Sequence, residues 1–185
     1  NSGKDEKIKV GLITLHDDKS TYDKNFIDAF KAACEVKGVT PVIQTGIDEK
    51  AICQETAENL ADEGCKLVSA DSFGHESILR AAEKYSDVQF AHATGTSTQN
   101  DTKLKNFHTA FASIYEGRYL AGYAAGLKLA DMYNKNNSIA KDGVITVGYV
   151  GAYPYAEVKS GYTSWLLGVR EAVSESLEGI TVNMK

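Results

Sequence analysis

A net basic charge, a CxxC spacing, the common catalytic signatures and long apolar runs are all missing from this chain, and each absence argues against a class of function. Acidic residues outnumber basic ones, 25 to 20, for a net charge of −5. The two signs are interleaved, so no face offers the phosphate contacts that drive nucleic-acid binding. No apolar run approaches the roughly 20 residues that span a bilayer. There is no GxSxG, HExxH or Walker loop, and no GxGxxG follows the first predicted strand, which argues against hydrolytic chemistry and a dinucleotide site. His16 beside Asp17 is a weak acid–base pair, and His16, His75 and His92 with Asp71 are a weak metal set. Each of these histidines stands on a different strand end, and no two have helix-ligand spacing. The expectation is a protein that is not an enzyme and has no cofactor or metal.

The three cysteines, Cys34, Cys53 and Cys65, show no CxxC spacing, and an odd count leaves at least one unpaired. Cys34 follows Phe26 and Phe30 at steps of four, and Cys53 shares a helix face with Ala57 and Leu60. Both read as small buried hydrophobes; a Cys53–Cys65 bridge is the alternative. Repeats and low-complexity tracts are absent. No signal peptide opens the sequence. The polar "NSGKDEK" suits a short flexible tether, as in a processed secreted protein or a trimmed cytosolic one.

What is present is a globular composition. Apolar residues fill 43% of the 185 positions and aromatics 9%, enough for a core in one ordinary domain or two small lobes. "IKVGLITL" (8–15) reads as a buried strand. Residues 22–37 carry Phe26, Ile27, Phe30, Ala33 and Cys34 at helical spacing, and Gly38 stops that helix. "VTPVIQT" (39–45) is a second strand, where Pro41 points to an edge or a strand start. Asp48 is the expected cap of a helix running to about Glu63. "KLVSA" (66–70) is a third strand, a helix follows from about Glu76 to Tyr85, and "VQFAHAT" (88–94) is a fourth strand. "GTSTQNDTKLKN" is a loop. This β-α-β-α-β-α-β order with short connections implies an α/β fold, a parallel sheet with helices on both faces.

The later stretch is built differently. "NFHTAFAS" (106–113) alternates in the manner of a strand, and "IYEGRYLAGYAAGLKLADMY" (114–133) is a long helix containing Gly117, Gly122 and Gly126. Such glycines are tolerated where a helix packs closely on a sheet or another helix; Glu116, Arg118 and Lys128 argue against a membrane dimer motif. "NKNNSIAKDG" reads as a loop, "VITVGYVG" (144–151) as a strand, "AYPY" as a turn, 156–174 as a helix and "ITVNM" (180–184) as a strand. Two strands and two helices leave both sheet edges open. The expected division is a tether over 1–7, an α/β lobe over 8–113, and a hinge with an incomplete second lobe over 114–185. On that reading the chain is part of a longer protein or is completed by a partner.

In an open parallel sheet, ligands bind outside the carboxyl ends of the strands. After strand one come His16, Asp17, Asp18, Ser20, Thr21 and Tyr22. After strand three come Asp71, Ser72, Phe73, Gly74 and His75. After strand four come Thr94, Gly95 and Thr96, with His92 close by, and a later strand delivers Tyr153, Pro154 and Tyr155. Each residue has an ordinary reading as well: Ser20 or Thr21 caps helix one, Ser72 caps helix three, and Tyr22 and Phe73 pack. Convergence of four strand ends makes them a candidate pocket, with flat rings for stacking and a few directed polar groups.

Five stretches resemble one family. They are "DDKSTYDKNFIDAFKAA" with its Asp-rich first turn, "ADSFGHES" with its aromatic turn, "YSDVQFAHATGT", "FASIYEGRYLAGYAAGLKL" and "VGYVGAYPYAEVKSGYTSWLLGVREA". They are similar to the basic membrane protein family of bacterial ABC-transporter substrate-binding lipoproteins, typified by purine nucleoside receptors, and the fourth is the most specific. The resemblance implies a type I periplasmic-binding-protein fold: two α/β lobes, hinged here near Ala112–Glu116, that close on a small solute and hand it to an ABC permease without reaction. It also implies a cell-membrane lipoprotein on the outer face, held only by a lipid anchor upstream of residue 1. Purine-binding members stack the base on an aromatic next to an Asn in the first turn; here that pair is Thr21 and Tyr22, and Thr94 stands where the family has an Asp. The roles implied are Tyr22 and Phe73 as aromatic walls, and His16, Asp17, Asp71, Ser72 and Thr94 as polar contacts. Tyr153 and Tyr155 would serve from the second lobe, and the ligand would be nucleoside-like or another flat or polar solute. The alternative readings are a ligand-sensing domain of a regulator with the same fold, or an enzyme of flavodoxin-like layout.

Overall fold

The computed structural model describes residues 7–95 and 103–185. Residues 1–6 of the expected tether, and the part of the polar loop that includes Thr96, lie outside the described residues. The chain forms two compact units, Asn1–Ala112 and Ser113–Lys185.

Unit 1 is a five-stranded, wholly parallel sheet in the order β2-β1-β3-β4-β5. Its strands are β1 (Lys9–Ile13), β2 (Thr40–Gln44), β3 (Cys65–Ala70), β4 (Gln89–Ala93) and β5 (Phe107–Ala110). Its helices are α1 (Thr21–Lys37), α2 (Ala51–Asp62) and α3 (Ile78–Lys84). The step from β1 out to β2 runs opposite to the steps from β2 to β3 and on to β4. Right-handed crossovers therefore put α1 on one face and α2 with α3 on the other. The α2/α3 face holds the core, where Ile13, Cys53, Leu60, Val68, Ile78 and Phe90 are almost wholly removed from solvent. Pro41 lies on the edge strand β2, where its missing N–H is tolerated.

Local chemistry sets the helix ends. The Ser20 hydroxyl caps α1 by accepting from the Asp23 N–H, and Gly38 closes the helix at φ 66°. Asp48 does not cap α2. Its carboxylate pairs with the Lys50 ammonium at 2.8 Å, and Lys50 itself occupies the cap position. The expected third helix is preceded by a 3-10 turn over Phe73–Ser77, because His75 leaves helical geometry. Ser72 precedes this turn, but its hydroxyl goes elsewhere. The three cysteines are buried and free, so the alternative Cys53–Cys65 bridge is not formed. Burial pushes the Cys53 thiol up to about 11.

Unit 2 pairs two long helices, α4 (Ile114–Lys135) and α5 (Ala156–Ser176), with a three-stranded sheet in the order β6-β7-β8. These strands are β6 (Ala140–Lys141), β7 (Val144–Val147) and β8 (Thr181–Met184). Strand β6 falls in the segment expected to be a loop. It forms because Asp142 and Gly143 both take positive φ, 51° and 76°, which is the tight turn an Asp-Gly pair favours. The glycines bring α4 against α5: a Cβ on Gly122 would strike the Trp165 carbonyl, and one on Gly168 the Tyr119 carbonyl. Ala130, Val169, Val173 and Val182 form the core beside this crossing.

Candidate functional site

The register aligns Ile13 with Ala70 and Ala70 with His92, so β1, β3 and β4 end level and their turns share one rim. The turn after β1 is organised by a side chain the sequence reading passed over. Asp23, almost wholly buried, accepts from the His16 N–H at 2.9 Å and from the Ser20 hydroxyl, and the His16 ring nitrogen Nδ1 lies 3.3 Å away. Burial alone would raise the Asp23 carboxyl. The bonds from Ser20 and His16 outweigh it and hold the group below its usual value. His16 and Asp17 are left exposed, and the Asp17 carboxylate accepts from the Lys19 N–H at 3.0 Å. Tyr22 is half-exposed. Its hydroxyl donates to the Asp71 carbonyl at 2.9 Å, tying α1 to the end of β3, and its ring lies 5.1 Å from that of Phe26.

The turn after β3 has a second organiser. Glu49, from the loop after β2, accepts from the Ser72 hydroxyl and, at 2.9 Å, from the Gly74 N–H. The Ser72 bond, against the opposing effect of burial, keeps the Glu49 carboxyl low. A Cβ on Gly74 would collide with Glu49, so that position needs glycine. The turn projects Phe73 half into solvent. Asp71 and Ser72, expected as polar contacts on the rim, have their side chains buried instead. Asp71 Oδ1 accepts from the Leu15 N–H at 3.4 Å. Its carboxyl is pushed up to about 7, first by burial and then by the neighbouring Asp23 charge.

Two buried imidazoles underlie the rim. His75 Nε2 meets the Ile47 carbonyl at 2.8 Å, and His92 Nε2 meets the Ser72 carbonyl at 2.6 Å. A carbonyl only accepts, so each Nε2 carries the proton. Burial lowers both rings' affinity for a second one. Thr94 closes β4 at φ 67°, a strained setting for a β-branched residue, and its hydroxyl is buried with no partner among the described residues.

The structure thus sorts the seven candidates of unit 1 into two tiers. His16, Asp17, Tyr22 and Phe73 are exposed; Asp71, Ser72 and the Thr94 hydroxyl are buried. In unit 2, Tyr153 and Tyr155 are exposed, with their rings stacked 5.6 Å apart at 21°. They neighbour a depression of about 550 Å³ lined by Tyr149, Tyr153, Pro154, Val158, Tyr162 and Met184. Asp23 had a sequence signal, because Ser20-x-x-Asp23 is a capping-box spacing. Glu49 had none, since it acts across 23 residues. Among the described residues, no three His, Cys, Asp or Glu side chains converge to hold a metal ion, and no helix is long and apolar enough to cross a membrane.

The sequence and the fold are similar to those of known proteins. The family model described as ABC transporter substrate-binding protein, PnrA-like, matches residues 8–176. A purine-binding protein of Brucella abortus is 31% identical over 172 residues, which is 90% of this chain and 43% of that protein. A Haloferax volcanii protein named as an ABC transporter glucose-binding protein is 34% identical over 130 residues, 70% of this chain and 28% of that one. Among solved structures, an ABC transporter solute-binding protein of Aeropyrum pernix superposes with a TM-score of 0.69 at 17% identity, covering 96% of this chain and 47% of that one. This chain spans less than half the length of each of these three. With the family match covering most of its length, the chain belongs to the PnrA-like family of ABC transporter substrate-binding proteins.

Proposed function

We propose that this chain belongs to the extracytoplasmic receptor of an ABC importer, which captures a small nucleoside-like solute and delivers it unchanged to its permease. A lipid anchor upstream of residue 1 would hold the receptor at the outer face of the membrane. The observation that carries the reading is the rim of unit 1. The turns after β1 and β3 carry two half-exposed rings, Tyr22 and Phe73, and the exposed polar groups of His16 and Asp17, while Asp23, Asp71, Ser72, His75 and His92 are buried. Flat rings stack on planar solutes of any base identity, and a few directed polar groups orient them. In this reading Asp71, Ser72 and Thr94 support or contact the solute from the buried tier. The exposed tyrosine pair of unit 2, Tyr153 and Tyr155, supplies a further stacking surface.

The relatives pull toward different solutes, since one is named for purine and one for glucose. The aromatic rim favours the former. The test is native mass spectrometry of what copurifies with the protein as its cell makes it, followed by calorimetry with adenosine, guanosine, inosine and glucose. Saturable binding of a nucleoside supports the reading. Binding of glucose with no response to any nucleoside overturns the solute class, and turnover of a bound solute overturns the transport role.

A further inference from the structure

Two carboxyl groups, Asp23 in the first turn of α1 and Asp71 at the end of β3, are almost wholly buried and accept from the N–H groups of adjacent residues, His16 and Leu15. Among the described residues neither has a lysine or arginine partner; the only ion-pair contacts are His16 to Asp23 and His75 to Asp71. Hydrogen-bond accounting then fixes where a proton must sit. Asp23 is satisfied as an anion, with the His16 N–H at Oδ1 and the Ser20 hydroxyl at Oδ2. Asp71 has the Leu15 N–H at Oδ1, while its Oδ2 is buried with no partner. The His75 Nε2–H is committed to the Ile47 carbonyl, so neutral His75 turns a bare Nδ1 toward Asp71 Oδ1 at 3.8 Å. An ionised Asp71 would confront two acceptors, the Asp23 carboxylate and that nitrogen, with no donor for its free oxygen. An unpartnered charge of that kind is what buried sites avoid.

We propose that Asp71 is a neutral carboxylic acid that shares its proton with the Asp23 carboxylate, and that this bond positions the Tyr22 and Phe73 rings by joining the turns that carry them. The functional reading above enters only in treating those rings as walls of a solute site. Tyr22 directly precedes Asp23, and Phe73 lies two residues after Asp71. The Leu15–Asp71 and Tyr22–Asp71 hydrogen bonds reinforce the same joint. The titratable groups that act on Asp71 are Asp23 from α1, Cys53 from α2 and His75 from the 3-10 turn; behind them His16 bears on Asp23, and Glu49 and His92 bear on His75. Asp23 and Glu49 are held ionised and oppose a further negative charge. His75 and His92 are held neutral and offer none of the opposite sign.

Loss of the proton therefore sets two carboxylates against each other and loosens the joint at neutral pH rather than in acid, since the Asp71 carboxyl is pushed up to about 7. The sign follows from linkage. The folded chain keeps a proton that the unfolded chain releases near pH 4, so this group's stabilisation declines from about pH 4 to about pH 7 and is level above. The two carboxyls titrate as a pair, and the midpoint belongs to both.

The experiment is nuclear magnetic resonance of the 185-residue chain from about pH 5 to about pH 9, following aspartate side-chain carbons, the His75 ring nitrogens and the Tyr22 and Phe73 rings. The expected result is one aspartate pair titrating near pH 7, with both rings moving at the same midpoint and His75 singly protonated throughout. In Asp71→Asn, whose amide donates permanently to Asp23, the rings should stop responding. Aspartates that all titrate below about pH 5, or a doubly protonated His75 at pH 7, would overturn the proton assignment; rings that ignore the titration would overturn the positioning role. If Asp71→Asn does not fold, Asp23→Asn decides, because removing the neighbouring charge must lower the Asp71 midpoint. Nucleoside calorimetry keeps the two readings apart: a midpoint near 7 without nucleoside binding removes the solute assignment alone, and nucleoside binding with acid-range midpoints removes the proton alone.

Discussion

Unit 1 and unit 2 both end their strands in aromatic-bearing turns, yet the buried polar and charged side chains among the described residues, Thr14 through Asn106, all belong to unit 1. Beneath the rim of unit 1, Asp23, Asp71, His75 and His92 bond to specific backbone groups of neighbouring turns. Unit 2 has no such layer. Its two helices are registered by backbone against backbone at Gly122 and Gly168, over an apolar core. A hydrogen-bonded polar layer fixes geometry through directed bonds that depend on protonation, whereas glycine-mediated packing fixes it through volume alone. The rim of unit 1 is therefore expected to respond to pH, and unit 2 to added side-chain bulk.

Three substitutions sharpen this contrast. The largest loss is expected for Phe90→Ala, which removes the biggest wholly buried side chain of unit 1 and should lower its stability by about 3–5 kcal/mol. Denaturant unfolding followed by hydrogen exchange on β1, β3 and β4 measures it. Gly168→Val comes next. Its side chain meets the Tyr119 carbonyl, so unit 2 should lose about 1–3 kcal/mol or more. The single tryptophan, Trp165, lies at this crossing, and its fluorescence reports the loss; an unchanged midpoint would mean the helices do not approach through their glycines.

Glu49→Ala is milder. Stranding the Ser72 hydroxyl and the Gly74 N–H should cost about 1 kcal/mol, and the turn bearing Phe73 should exchange faster. The Glu49 carboxyl sits below its ordinary value, so its contribution is present above the unfolded carboxylate range and is lost as pH falls through the lower folded value. Variant and wild type should converge in acid, below about pH 4. A gap that persists there would show that the effect is not electrostatic.

Much of unit 1 was legible because its physics is periodic. Alternating and helical spacings located the five strands and three helices, and the rule that ligands meet strand carboxyl ends singled out the turns that follow them. Depth was not legible. Asp71 and Phe73 are two residues apart in one turn, yet one is wholly buried and the other half-exposed, a difference set by what packs against the turn. Glu49 was missed because a loop after an edge strand reaches the rim only through tertiary contact with Ser72 and Gly74. The two-residue strand β6 was missed because its residues are too few to show periodicity, although Asp142-Gly143 was a usable turn signal.

The claim that the rim takes a flat solute rests most heavily on the half-exposed Tyr22 ring. Calorimetric titration of a purine nucleoside into Tyr22→Ala and Tyr22→Phe measures it directly. The predicted loss in the alanine variant is about 1–3 kcal/mol, roughly 5- to 150-fold in affinity, with the phenylalanine variant close to wild type. An alanine variant that binds as tightly as wild type would contradict it.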